Sequence, residues 1–102
     1  MSTPPTLEQV ERLARQAAEL IRATLGSSVR VYWFGSWVTG TPVERSDIDL
    51  SVDAGRVLSS EEVYRIRESL DSLPTLRKFD LLDLNAIEDE LRQEILEGGR
   101  EL

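Results

Sequence analysis

At 102 residues and 40% hydrophobic content, the chain can form one packed core and is too small for two. It contains no cysteine and no histidine, which excludes disulfides, thiolate or imidazole metal sites, a Cys nucleophile and a Ser-His-Asp triad. Acid–base or metal chemistry must therefore rest on carboxylates. The net charge of −7 argues against an extended nucleic-acid or anionic-membrane surface and leaves Arg45, Arg77 and Lys78 as candidates for a local basic patch.

Residues 1–5 read as a frayed leader without the pattern of a signal peptide. No apolar run approaches the roughly 20 residues of a membrane span, so a cytoplasmic location is expected. Thr6 with Gln9 has the spacing of a capping box. Leu7, Val10, Leu13, Ala14, Ala17, Leu20 and Ile21 then recur at helical spacing until Gly26, which predicts a helix over 7–25. "VRVYWF", 29–34, is β-branched and aromatic and predicts a strand ended by Gly35. Residues 36–40 are compatible with one helical turn, and 41–46, with Pro42, form a polar loop. "DIDLSV", 47–52, alternates polar and apolar and predicts a second strand with one wet face, after which Asp53 leads into a turn at Gly55. Ser59 with Glu62 is another capping box. Val63, Ile66, Leu70 and Leu73 give the following helix its apolar face, and Pro74 closes it. "KFDLLDL", 78–84, predicts a third strand. Asn85 with Glu88 predicts a third capping box, opening a helix with Ile87, Leu91 and Ile95 inward that ends at Gly98 and Gly99.

The order is therefore α-β-(turn)-β-α-β-α. It predicts a single α/β domain over 1–102 with a small three-stranded mixed sheet, the first two strands adjacent and the helices packed on one side. So small a sheet has exposed edges, and a partner or a second copy is expected to cover part of it.

Two features of residues 33–52, "WFGSWVTGTPVERSDIDLSV", go beyond a generic domain. Gly35 and Gly40 have the spacing of a phosphate loop, but Thr41 and Pro42 stand where that motif needs Lys and Ser or Thr, so a P-loop is excluded. A strand that runs into Gly35-Ser36 can still bring phosphate close to backbone N–H groups, with the Ser36 hydroxyl as a donor; the alternative is a tight corner with a capping serine. Asp47 and Asp49, at i and i+2, share one strand face, with Ile48, Leu50 and Val52 on the other. Paired carboxylates of this kind suit Mg²⁺, and the alternative is a polar outer face on an edge strand. An EF-hand is excluded, because the sixth position from Asp47 is Val52 and the twelfth is Leu58. Asp80 interrupts an otherwise apolar strand. Beside Asp47 and Asp49 it would complete a three-carboxylate cluster able to hold two divalent ions about 4 Å apart. Asp83 faces the other way and reads as structural or solvent-facing.

"GSWVTGTPVERSDIDL" resembles the G-S-x-x-x-G…S-D-x-D signature of the polymerase-β-like nucleotidyltransferases, and "KFDLLDLN" resembles their third-carboxylate strand. The short chain is similar to the minimal nucleotidyltransferase family, whose members commonly act as antitoxins paired with a HEPN-domain RNase toxin. The resemblance implies that Asp47, Asp49 and Asp80 bind two Mg²⁺ ions and form the catalytic set, with Asp80 helping to activate the attacking hydroxyl. It also implies that Gly35, Ser36 and Ser46 contact the nucleotide. The implied activity is protein adenylyltransfer: AMP moves from ATP to a protein hydroxyl, a tyrosine of the HEPN toxin, within a hetero-oligomer with the toxin or a homodimer. The alternative is an antitoxin that neutralises its partner by binding alone. Many relatives carry an arginine soon after Gly-Ser, where this chain has Trp37-Val38-Thr39; Lys78, on the Asp80 face, or Arg45 could substitute for that cation.

Overall fold

The computed structural model describes residues 7–35 and 48–102. Its elements are α1 (Leu7–Leu25), β1 (Arg30–Phe34), β2 (Ile48–Asp53), α2 (Ser60–Asp71), β3 (Phe79–Asp83), α3 (Asp89–Gly98) and β4 (Arg100–Glu101). The sheet order is β3-β2-β1-β4. β2 is antiparallel to β1 and parallel to β3, as a crossover through α2 requires, and β4 is antiparallel to β1. The mixed sheet and the adjacency of the first two strands agree with the expectation; the two-residue β4 is an addition. No described helix is long and apolar enough to cross a membrane.

The main core lies on one face of the sheet. Val31 and Trp33 of β1 and Ile48, Leu50 and Val52 of β2 are fully buried there, against Val10, Ala14, Ala17 and Ile21 of α1 and Ile66 and Leu70 of α2. The small side chains of Ala14, Ala17 and Ala18 make that stripe of α1 thin, so the bulk of Trp33 fits in the same layer. Arg22 fastens the end of α1, donating from Nε to Val29 O at 3.3 Å and from Nη2 to Leu102 O. Arg100 lies over the Trp33 ring, 5.7 Å from its centroid, and pairs with Glu11 Oε1 at 2.7 Å.

Helices cover both faces, where the sequence pointed to one. Ile95 of α3 packs with Tyr32, Leu84, Phe34, Leu82 and Ile87 on the face opposite Trp33. The expected wet face of β2 is consequently wet only in part: Ser51 is fully buried, while Asp49 and Asp53 are half-buried. α3 also starts later than its sequence pattern suggested. The cap residue is Glu88, without a side-chain cap bond, and Asn85 serves a turn. Its backbone N–H donates to Asp83 Oδ1 at 3.0 Å, and its Nδ2 donates to Asp53 Oδ1 at 2.9 Å. Starting the helix at Asp89 turns Leu91 outward rather than inward. The cap at Thr6 lies outside the described residues.

The capping box at Ser59 is formed. The Ser59 side chain accepts from Glu62 N, and Glu62 Oε1 accepts from Ser59 N at 2.9 Å. Both Glu62 oxygens also accept from Arg56, at 2.8 and 2.6 Å. The Arg56 guanidinium, then the Ser59 amide, lower the Glu62 carboxyl from 4.5 to about 2. A depressed carboxyl contributes stability above its unfolded pKa and loses it as pH falls through the folded value. The melting-temperature advantage of the wild type over Glu62→Gln should therefore be full above pH 4.5 and shrink as pH falls toward 2. Thermal denaturation followed by circular dichroism across that range checks it, and an advantage that grows on acidification would contradict the assignment.

Candidate active site

Among the described residues, the covering helix does not reach the end of the sheet where β1 leaves and β2 and β3 enter. Asp49 and Asp80 are there. They are direct register partners on parallel neighbours, with Asp49 half-buried and Asp80 exposed. Strands about 4.8 Å apart hold two such side chains on the same face, side by side. The expectation that Asp80 sits beside the β2 aspartate on an adjacent strand is met. Ile48 and Leu50, on either side of Asp49, are fully buried on the opposite face, which fixes the direction of the carboxylate.

Gly35 follows β1 immediately and has φ +89°, a conformation that only glycine adopts at little cost. The absence of a side chain has a second use here. A Cβ at this position would overlap Asp49 Oδ2 and lie 3.0 Å from its Cγ. The Asp49 carboxylate thus rests on the glycine backbone, and Phe34, the preceding residue, is the register partner of Asp49. The sequence pointed to Gly35 as a place for close phosphate approach. The structure adds that it makes room for a carboxylate.

Asp47, Ser36 and Ser46 lie outside the described residues, as do Arg45 and the predicted turn over 36–40. Among the described residues no three acidic side chains form a metal-holding group, and Asp49 and Asp80 are the described part of the expected triad. Two adjacent carboxylates with no cation between them repel, whereas an oxygen-seeking divalent ion relieves that repulsion, so the donor set fits Mg²⁺.

The neighbouring acidic residues do different work. Asp83 Oδ2 accepts from Leu58 N at 2.7 Å, which anchors the segment before α2, so its structural reading holds. Asp53 accepts from Asn85 and from Gly55 N, and these two bonds, that of Asn85 first, hold its carboxyl below the usual range. The Asp53–Asn85 link joins the end of β2 to the turn after β3. The only trace of it in the sequence is two turn-forming residues 32 positions apart.

A small α/β domain with two carboxylates in register on adjacent strands, and a glycine corner against one of them, has the make-up of a nucleotidyltransferase core. Residues 16–102 match the model of the polymerase beta nucleotidyltransferase family, and the chain belongs to that family. It is 31% identical over 88 residues to the protein adenylyltransferase MntA of Shewanella oneidensis, a match that covers 82% of this chain and 60% of that protein. The chain thus spans about 60% of the length of this relative. Among solved structures it is similar to a toxin–antitoxin complex with AMP-PNP (TM-score 0.67, 25% identity, 84% of this chain and 69% of that one). It also shares the fold of a chain in the complex of tri-AMPylated Shewanella oneidensis HEPN toxin with MNT antitoxin (TM-score 0.67, 22% identity, 90% and 70% covered).

Proposed function

We propose that this protein is a Mg²⁺-dependent adenylyltransferase that moves AMP from ATP to a protein hydroxyl, the acceptor being a tyrosine of a HEPN-domain toxin that it silences. The observation that carries this reading is the register pairing of Asp49 with Asp80, with Gly35 beneath the Asp49 carboxylate. The activity of the MntA relative and the AMP-PNP found with a similar chain support the choice of reaction and donor.

In this reading Asp47, Asp49 and Asp80 hold Mg²⁺, which neutralises phosphate charge and orients the reacting oxygens. Gly35, Ser36 and Ser46 hold the phosphates. The acceptor oxygen bonds to the α-phosphorus, the α–β anhydride bond breaks, and pyrophosphate leaves with the bonding electron pair. Asp80, the more exposed of the described pair, takes the hydroxyl proton. Alignment of the two oxygens supplies much of the rate.

Incubation with radiolabelled ATP, Mg²⁺ and the HEPN-domain protein encoded beside it tests the reading. The expected result is label on the HEPN protein that disappears with EDTA. Absence of label while the chain still suppresses toxicity would replace the reading by neutralisation through binding alone. That alternative is motivated by the net charge of −7 and by Trp37-Val38-Thr39, which holds no cation after Gly35-Ser36.

A further inference from the structure

Beyond Asp80 the surface opens into a groove of about 540 Å³ between the end of α2, the following loop and the start of β3. Arg67, Arg77 and Lys78 line it, together with Asp71, Asp80 and the apolar Leu76. In a chain of net charge −7, three of the 12 basic side chains thus converge beside one carboxylate of the candidate site. Lys78 is the only lysine in the sequence. Among the described residues Arg65 pairs with Glu61, whereas Arg67 and Lys78 form no ion pair. Leu76, at the rim, is fully exposed.

The sheet order gives this groove a direction. Gly35 ends β1 on one side of Asp49, and the groove lies on the β3 side, beyond Asp80. In-line displacement requires the attacking and leaving groups on opposite sides of the transferred phosphorus. If phosphate occupies the Gly35 side, the acceptor arrives along the groove. An exposed leucine beside cationic side chains suits a polypeptide, which can offer an apolar and a charged side chain together.

We infer that this groove docks the acceptor protein through an acidic segment flanking the modified hydroxyl, with Arg67 and Lys78 pairing its carboxylates and Leu76 its apolar side chain. This rests on the adenylyl-transfer reading for the identity of the occupant, but its test reads binding. The ¹⁵N-labelled protein is titrated with a tyrosine peptide flanked by glutamates and with the same peptide carrying lysines in their place. Amide shifts are expected at residues 67–80, with the glutamate peptide bound about tenfold more tightly. Arg67→Glu and Leu76→Asp, both at exposed positions, should each weaken it about fivefold or more while leaving Mg·ATP affinity unchanged. Equal binding of the two peptides, shifts centred elsewhere, or wild-type peptide affinity in Arg67→Glu would overturn the inference. So would weaker Mg·ATP binding in these variants, which would make the groove a phosphate site, or an RNA oligonucleotide that shifts the same amides more strongly. Failure of adenylyl transfer would leave the peptide result standing, and loss of peptide preference would leave the transferase reading standing.

Discussion

Asp49→Asn is expected to lower Mg²⁺-dependent transfer by about 10²–10³-fold without unfolding the protein, because the substitution keeps the shape and removes the charge that holds the ion. The structure makes a second, independent outcome available. Asp49 and Asp80 are register partners, so in the absence of metal their charges oppose one another. Wild type should gain stability on adding the ion, by about 2.7 kcal/mol at a hundredfold excess over its dissociation constant. Asp49→Asn should lose most of that gain. Scanning calorimetry with and without Mg²⁺ separates the two contributions. A variant that melts several degrees lower in EDTA and still gains fully from Mg²⁺ would make Asp49 a structural residue.

The same arrangement explains what could be read from the chain and what could not. The α1 stripe and the β2 alternation were legible because a buried face imposes its period on the sequence, and the strand predicted over 29–34 because its residues are β-branched and aromatic. The same periodicity put Asp49 opposite Ile48 and Leu50. Asp80 was legible because a charge in the middle of an otherwise apolar strand calls for a reason. The side on which α3 packs could not be read, because Tyr32, Ser51 and Leu82 do not form a continuous apolar face; they become a buried surface only once Ile95 arrives. The false capping box at Asn85 has a similar origin. Asn, then Glu three residues on, is a local pattern, but the Asn85 amide was claimed by Asp53 from another strand. Asp53 in turn was legible as a turn residue, from its own neighbour Gly55, and not as a cross-link.

These two outcomes bear on how the site is built. The main core fixes β1 and β2 from one side, and α3 clamps Tyr32 from the other. Among the described residues, none packs over the end of the sheet that carries the carboxylates. The pair sits on rigid strands, so its spacing follows from strand pairing rather than from a loop, which is the condition under which ligands can be held to fractions of an ångström. Chain-specific properties then come from what borders the pair: the glycine corner on one side and the cationic groove on the other.

The glycine corner yields the most severe single-atom test. Gly35→Ala adds one methyl group and acts in two ways. At φ +89° the backbone conformation alone costs about 1–3 kcal/mol for a residue with a Cβ. That Cβ would also overlap Asp49 Oδ2 and lie 3.3 Å from Asp49 Cβ, so the carboxylate must move off the position in which it rests on Gly35. In a domain of this size the first effect alone corresponds to a fall of roughly 5–15 °C in melting temperature. The second should cost metal affinity and transfer together, beyond what destabilisation explains at a temperature where the variant is folded. A double-mutant cycle separates them. In an Asp49→Ala background the overlap with Oδ2 and Cγ is gone, and only the backbone strain and the 3.3 Å contact remain. Gly35→Ala should then cost at least about 1 kcal/mol less than in wild type, a coupling energy of the size expected for residues in direct contact. Equal costs in the two backgrounds would mean that Asp49 does not rest on Gly35, and that the glycine is needed for its backbone conformation alone.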